Sequence, residues 1–371
     1  MLFHNACLES FGVALPQEII TTADVEKRLE PLYDRLRLPE GRLELITGVR
    51  ERRFWSPGTL PSEKSIVSGN RAIEAANFDR GQIGAMIHAS VCRDHLEPAT
   101  ACAVHHGLGL PADCQIFDVS NACLGLMNGV LLLSTMIEAG QIKAGLVVGT
   151  EGSRQLVETT IDELNANETL TRKAIKTAIA SLTIGSGSCA ILVTHRDVSQ
   201  TGNRILGGSV YANTQFHELC HSGADEAVAS GMQPLMETDS ETLMREGCDT
   251  GAKNFKSFLS KLDWTRDKIG KTVCHQVGPA HKKMMFDSLK MDVTKDFATV
   301  EWLGNTGSVA LPITAAVGAM SGHLQSDDRV GMFGIGSGIN CIMLGNVWQK
   351  TPVAAGDDIP AEVLSSVVPS V

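Results

Sequence analysis

The stretch Val119-Ser-Asn-Ala-Cys-Leu-Gly-Leu-Met-Asn-Gly-Val-Leu-Leu-Leu-Ser-Thr-Met-Ile137 contains no Asp, Glu, Lys or Arg. It approaches the length of a membrane span. However, Ser120, Asn121, Asn128, Gly129 and Ser134 would be costly in lipid. The stretch reads instead as a turn leading into a helix buried on every side of a large fold. A second charge-free stretch, Trp302 to Ser326, holds Asn305, Thr306, Gly307, Pro312 and His323 and reads the same way. The two share a layout. Each begins with a short strand, predicted at Cys114–Val119 and Thr299–Leu303, followed by a polar Asn-containing turn and a Gly/Ala-rich helix. Each then passes a polar break into a buried strand ending in glycine, Ala144–Gly149 in the first case and Arg329–Gly336 in the second. That is an internal repeat, and two halves of alternating strands and helices imply an α/β fold of two pseudo-repeated βαβ units whose central helices pack together.

The surroundings agree with this reading. A chain of 371 residues with 43% hydrophobic and 20% charged residues has the composition of a globular protein, with material for two domains or one duplicated one. The net charge of -10 opposes binding to nucleic acid, which needs clustered Lys and Arg. Ten scattered cysteines without a C-x-x-C pair suggest reduced thiols, and the N-terminus shows no basic and apolar leader, so the expected location is cytoplasmic. The halves are placed at residues 1–198 and 199–350, divided by the polar run His195 to Arg204. Residues 211–251, rich in His, Met, Glu and Ser, are expected to form a helical insertion over an opening, and 351–371 a loose tail.

The candidate chemistry begins at Cys123, where a strand ends and a buried helix begins. The macrodipole and free N–H groups at a helix N-terminus favour a thiolate, so a lowered thiol pKa is expected. A packed core thiol is the bland alternative. His275, at the end of the buried strand in Lys271–Gln276, and Asn305, in the turn opening the second charge-free helix, fall at places that would face Cys123 if the halves stack with a twofold relation. Nucleophilic catalysis needs a proton acceptor and donors that stabilise an oxyanion. His281, six residues beyond His275, is the rival histidine, or an ordinary capping or surface residue.

Cys123 with its flanks, His275-Gln276, Gly304-Asn305-Thr306 and the loop Gly334-Ile-Gly-Ser-Gly338 together resemble the β-ketoacyl synthase III branch of the thiolase superfamily. The resemblance begins at Gly12-Val-Ala-Leu-Pro16, Thr22-Ala-Asp24 and Thr47-Gly-Val-Arg-Glu-Arg-Arg53 and runs to about residue 350. Within that branch, Ser90-Val-Cys-Arg-Asp-His-Leu-Glu-Pro98, Ser120–Gly125, Gly140–Gly145, Cys274-His-Gln-Val277 and Gly336–Cys341 are most similar to the OleA-type condensing enzymes of olefin biosynthesis. The resemblance implies a thiolase-like fold in five α-β-α-β-α layers. It also implies a homodimer that joins two fatty acyl-CoA molecules by thioester Claisen condensation through an acyl-cysteine. Cys123, His275, Asn305 and Glu97 would be catalytic, Glu97 acting across to the partner subunit. Ser337 and Gly336 would belong to the oxyanion loop. Acyl-CoA is then a substrate, no metal, nucleotide or flavin cofactor is needed, and acyl carrier protein or downstream pathway enzymes are candidate partners. Without the resemblance, Glu97 reads as a solvated loop carboxylate.

The alternative within the same branch is a decarboxylative synthase III that initiates fatty-acid or polyketide synthesis, and departures from those enzymes weigh against it. Arg42 and Ile46 stand where those enzymes have a Trp and an Arg that hold coenzyme A, Gly278 replaces the asparagine of their His-Gln-Ala-Asn motif, and Gly307 replaces a serine. His217-Glu-Leu-Cys-His221 fits the zinc-protease pattern H-E-x-x-H, which requires both histidines on one helical face and a third ligand. No third ligand stands out, and zinc hydrolysis is the remote alternative.

Overall fold

The computed structural model of the chain describes residues 1–223, 235–275, 277–359, 361 and 364. Strand β1 (Ala6–Ala14) is followed by an antiparallel pair, β2 (Glu18–Thr21) and β3 (Glu51–Phe54), which brackets helices α1 (Thr22–Arg28), α2 (Glu30–Leu36) and α3 (Arg42–Thr47). Next come α4 (Pro61–Ala75), β4 (Ile83–Ala89), α5 (Thr100–Leu108), β5 (Gln115–Val119), α6 (Gly125–Glu138), β6 (Ala144–Glu151), α7 (Arg154–Ala166) and β7 (Gly187–His195). The second half opens with β8 (Arg204–Ala212), the pair β9 (Cys220–Ser222) and β10 (Met236–Thr238), and α8 (Ser240–Leu262). It continues through β11 (Lys271–Cys274), α9 (Pro279–Leu289), β12 (Asp296–Phe297), α10 (Val300–Leu303), α11 (Ala310–Met320), β13 (Arg329–Gly336), β14 (Asn340–Val347) and β15 (Val353–Ala354).

The two halves have one topology. Strand order is β5-β4-β6-β7-β1 in the first and β12-β11-β13-β14-β8 in the second, and the sets meet where Cys7 of β1 faces Arg204 of β8. Pairing senses correspond as well. β4 lies parallel to β5 and β6, as β11 does to β12 and β13, while β6–β7 and β13–β14 are antiparallel.

Strand side chains alternate faces, and here both faces are buried. Ile191 and Val193 of β7 enter a core shared with α6 and α11, whereas Ala190 and Leu192 pack with residues of α4 and α5. In the second half Ile342 and Leu344 of β14 face that same central core, while Cys341 and Met343 pack with α8 and α9. The result is the thiolase-like arrangement of α4 and α5, sheet, α6 and α11, sheet, and α8 and α9. Both charge-free stretches become its middle layer, which explains their lack of a polar stripe. Close helix-to-strand approach needs small residues. At Gly12 of β1, an added Cβ would lie 1.9 Å from Ser68 O and 2.5 Å from Ala72 N of α4.

Three expectations are corrected. Residues Thr299–Leu303 are not a strand. The ladder beside β11 ends at Phe297, and N–H groups of Trp302 and Leu303 donate to Thr299 O, closing the short helix α10. The span 211–251 is not a helical insertion throughout, because β8 continues to Ala212, a 3₁₀ segment covers Thr214–Leu219, β9 pairs with β10, and α8 begins at Ser240. Residues 224–234 of that span lie outside the described residues. Nor is 351–359 loose, since Val353 and Ala354 extend the sheet beside Phe11 and Gly12, and Asp358 accepts a 2.6 Å charged hydrogen bond from Arg71 of α4. The rest of the expected tail, apart from 361 and 364, lies outside the described residues. Between the halves, the linker 196–203 is held by buried Glu9, which accepts from Ser199 Oγ and Gln200 N. Among the described residues, no helix is long and apolar enough to cross a membrane.

Candidate active site

The polar residues gather at the C-terminal ends of the parallel strands, where α/β sheets leave a crevice for ligands. In the first half β4 leads into the loop bearing Glu97, β5 into the turn bearing Cys123, and β6 ends at Glu151. In the second half β11 leads to His275, β12 through α10 to Asn305, and β13 ends at Gly336, next to Ser337. The repeat therefore supplies two matching sets of strand ends.

Cys123 sits just ahead of α6, with Ala122 in the left-handed region at φ 45° and Leu124 capping the helix. Gly336 is pressed against this turn, since a Cβ there would lie 3.5 Å from Cys123 N and 3.7 Å from Cys123 Cβ. An asparagine network ties the turn to the loop after β13. Asn340 Nδ2 donates to Asn121 Oδ1 at 3.1 Å and to Ser337 O at 3.4 Å, and Asn121 Nδ2 donates to Asn128 Oδ1 of α6 at 2.8 Å. Elements from both halves thus fix the position of the cysteine.

The expected low thiol pKa is overturned. Burial is the largest influence on Cys123, followed by the neighbouring Cys220 and Glu151, and together they push the thiol up to about 12 despite an opposing backbone hydrogen bond. The thiol is partly buried where the cost of desolvating a thiolate outweighs the favourable helix terminus.

Asn305 is buried, and its backbone bridges to the loop before β7, with Asn305 N donating to Thr183 O and Gly185 N to Asn305 O. Its Oδ1 accepts from Gly307 N at 3.0 Å. That bond assigns the amide orientation and turns the Nδ2 donors away from Gly307. His275, 5% exposed, is anchored by its backbone N–H to Phe333 O of β13, three residues before Gly336. Burial, and secondarily His281, lowers its pKa to about 3, so the ring is neutral at physiological pH. Gln276 lies outside the described residues.

Glu151 is a site residue that the sequence reading missed. Buried at the end of β6, it accepts from Ser308 Oγ at 2.5 Å, from Val91 N at 3.1 Å and from Cys92 N at 3.4 Å. One carboxylate therefore joins the turn after Asn305 to the base of the Glu97 loop. The available signal was a charged residue closing the apolar run Ala144–Thr150. Asn121 and Asn340 were missed for another reason, because their pairing across 219 residues exists only in the fold.

Glu97 lies exposed on the loop between β4 and α5, beside Leu96, which is 62% exposed, and near Val91, which is 49% exposed. The zinc pattern is ruled out as a helical pair, because His217 occupies a 3₁₀ segment and His221 the strand β9, so no helical face carries both. Among the described residues no group of three His, Cys, Asp or Glu is placed to hold a metal.

Comparison with known proteins accords with this geometry. Residues 259–344 match the 3-oxoacyl-[acyl-carrier-protein] synthase III C-terminal family. The chain is 38% identical to an acyl-CoA:acyl-CoA alkyltransferase of Shewanella oneidensis, over 94% of this chain and all of that one, and 31% identical to another of Xanthomonas campestris with the same coverage. A solved structure of Xanthomonas campestris OleA superposes with a TM-score of 0.87 at 30% identity, covering 94% of this chain and all of that one. It is a cysteine-to-serine variant with bound lauric acid and lauroyl-CoA. With its fold, its strand-end residues and its relatives in agreement over nearly the whole length, this chain belongs to the acyl-CoA:acyl-CoA alkyltransferase family of ketoacyl synthase III-like acyltransferases.

Proposed function

We propose that the protein condenses two fatty acyl-CoA molecules head to head, with Cys123 as the nucleophile. The observation that carries this reading is the convergence at the strand ends. Gly336 closes on the Cys123 turn, while Glu151 joins the Asn305 turn to the Glu97 loop. In the first half-reaction the Cys123 sulfur attacks the thioester carbon, with N–H groups of Cys123 and of the loop at Gly336 and Ser337 facing the oxyanion. The C–S bond to coenzyme A breaks, and the cysteine proton leaves with the released thiol. An open groove of about 690 Å³, lined by Leu45, Gly48, Gly278, Pro279 and Lys282, supports an approach for the coenzyme A portion close to His275.

In the second half-reaction another acyl-CoA loses an α-proton to Glu97 of the partner subunit, in a homodimer. An unactivated thioester needs such a positioned base. His275 is suited to donate from a neutral ring, and Asn305 from Nδ2, to the oxygen of the resulting enolate. The carbanion attacks the acyl carbon on Cys123, the C–S bond breaks, and the thiolate recovers the proton, giving a β-ketoacyl-CoA. The exposed carboxylate of Glu97, with exposed Val91 and Leu96 on the same loop, supports delivery to a second copy. A place in long-chain olefin biosynthesis in the cytoplasm follows from the same reading.

Intact-protein mass spectrometry after incubation with a long-chain acyl-CoA tests this. The unmodified protein gains one acyl group and Cys123→Ala gains none. His275→Ala acylates but loses about 100- to 1,000-fold in condensation, the usual cost of an oxyanion donor. An adduct retained on Cys123→Ala would sink the assignment, and strict dependence on a malonyl donor would favour the decarboxylative alternative.

A further inference from the structure

His275 lines a small cavity of about 20 Å³. Its polar lining comes from Cys274, His275, His281, Lys282 and Asp296, and Met285 and Ile335 are among its apolar walls. Two of these groups answer each other. Lys282 Nζ lies 3.0 Å from Asp296 Oδ2 and donates to Asp296 O at 3.2 Å, while Thr272 Oγ1 donates to Asp296 Oδ1 at 3.1 Å. The imidazoles differ. The Nδ1 of His275 is buried and has no hydrogen-bond partner among the described residues. Buried ring nitrogens are rarely left so.

The chemistry proposed for His275 makes this nitrogen consequential. A neutral imidazole carries one N–H, so a ring that donates from Nε2 must accept at Nδ1. Something must then donate to Nδ1, or the other tautomer becomes available. His281, in the first turn of α9, reaches the same cavity, and its ring is also held neutral, burial lowering its pKa to about 4. A neutral ring keeps one donor and one acceptor. The cavity has room for one water, which needs about 10–15 Å³ and two to four polar partners.

We propose that His281 is a positioning residue that, through a single water in this cavity, supplies the hydrogen bond to His275 Nδ1 and so fixes the Nε2–H tautomer facing the substrate. His281 does not touch the reacting atoms. Its substitution therefore acts on condensation, which needs the Nε2 donor, and leaves acylation of Cys123 nearly unchanged. This inference rests on the condensation reading for its kinetic consequence, but the tautomer itself is a property of the free protein.

The test uses the full-length protein labelled with ring-¹⁵N histidine, the His275 signals being assigned by their loss in His275→Asn. Unmodified protein is expected to show His275 protonated at Nε2 with an accepting Nδ1. In His281→Phe, His275 shifts towards the Nδ1–H form, and condensation falls about 10- to 100-fold, the scale seen when a group orienting an imidazole is removed. Acylation by mass spectrometry stays within about twofold, and His281→Gln, which keeps a donor, recovers most of the loss. A His275 protonated at Nδ1 in the unmodified protein, or an unchanged tautomer and condensation rate in His281→Phe, would overturn the proposal. Failure of Cys123 to acylate would instead strike the condensation reading and leave the tautomer measurement standing.

Discussion

At Cys123, position and ionisation point in different directions. The residue lies ahead of a helix, where field effects favour a thiolate, yet burial holds the thiol up to about 12. The resting enzyme is therefore expected to keep its cysteine protonated and to generate the nucleophile only as substrate arrives. Alkylation by iodoacetamide should be slow at neutral pH and climb about tenfold per pH unit between pH 7 and 10, because the thiolate is the reacting form and its fraction grows in that proportion below the pKa. A rate that levels off near pH 7 would show a thiol of ordinary or lowered pKa and remove burial as the governing effect. Glu151 adds to the same bias. Its hydrogen bonds to Ser308, Val91 and Cys92 organise the surroundings, and its proximity opposes a second negative charge on the sulfur.

The elements that position these residues depend on close approach between helix and sheet. α4 rides on β1 at Gly12, where any Cβ would meet backbone atoms that cannot rotate aside. Gly12→Val should lower the thermal midpoint and the yield of folded protein, since overpacking a core commonly costs about 1–3 kcal/mol and more where the neighbour is backbone. Circular dichroism melting measures it, and an unchanged midpoint would mean that α4 does not pack as described. The same element scale explains what the periodicity missed. The shared layout with Cys114–Val119 predicts a strand at Thr299–Leu303, but the second half reaches its turn through a one-turn helix because β12 stops at Phe297. Local composition does not distinguish these, as Thr, Val, Trp and Leu suit a buried strand as well as a buried helical turn.

For the whole molecule, the loop between β4 and α5 holds the proposed base exposed at the surface. If Glu97 serves the partner subunit, mixing Cys123→Ala and Glu97→Ala proteins under conditions of subunit exchange should restore activity from two inactive parents. Each heterodimer keeps one site with both residues intact, so up to about half of the unmodified site count is available to heterodimers. Condensation assayed on the mixture and on each parent decides this. Full activity of Glu97→Ala alone, or no recovery once exchange is demonstrated, would remove the shared-site arrangement.

The duplicated α/β architecture, the buried middle helices and the places of Cys123 and His275 beyond strand ends were legible in the chain itself, whereas Asn305 follows the short helix α10 and not a strand. They arise from local rules: absence of charge where a helix is buried on all sides, continuous apolar runs where a strand is covered on both faces, and polar turns where strands stop. Tertiary structure alone decided the rest. It set the protonation of Cys123 and His275, because desolvation depends on what is folded over a side chain and not on its neighbours in sequence. It also brought Asn340 to Asn121 and Ser308 to Glu151, and placed His281 on the cavity that His275 lines. Pairings over such separations follow from the stacking of the two halves, which no local pattern encodes.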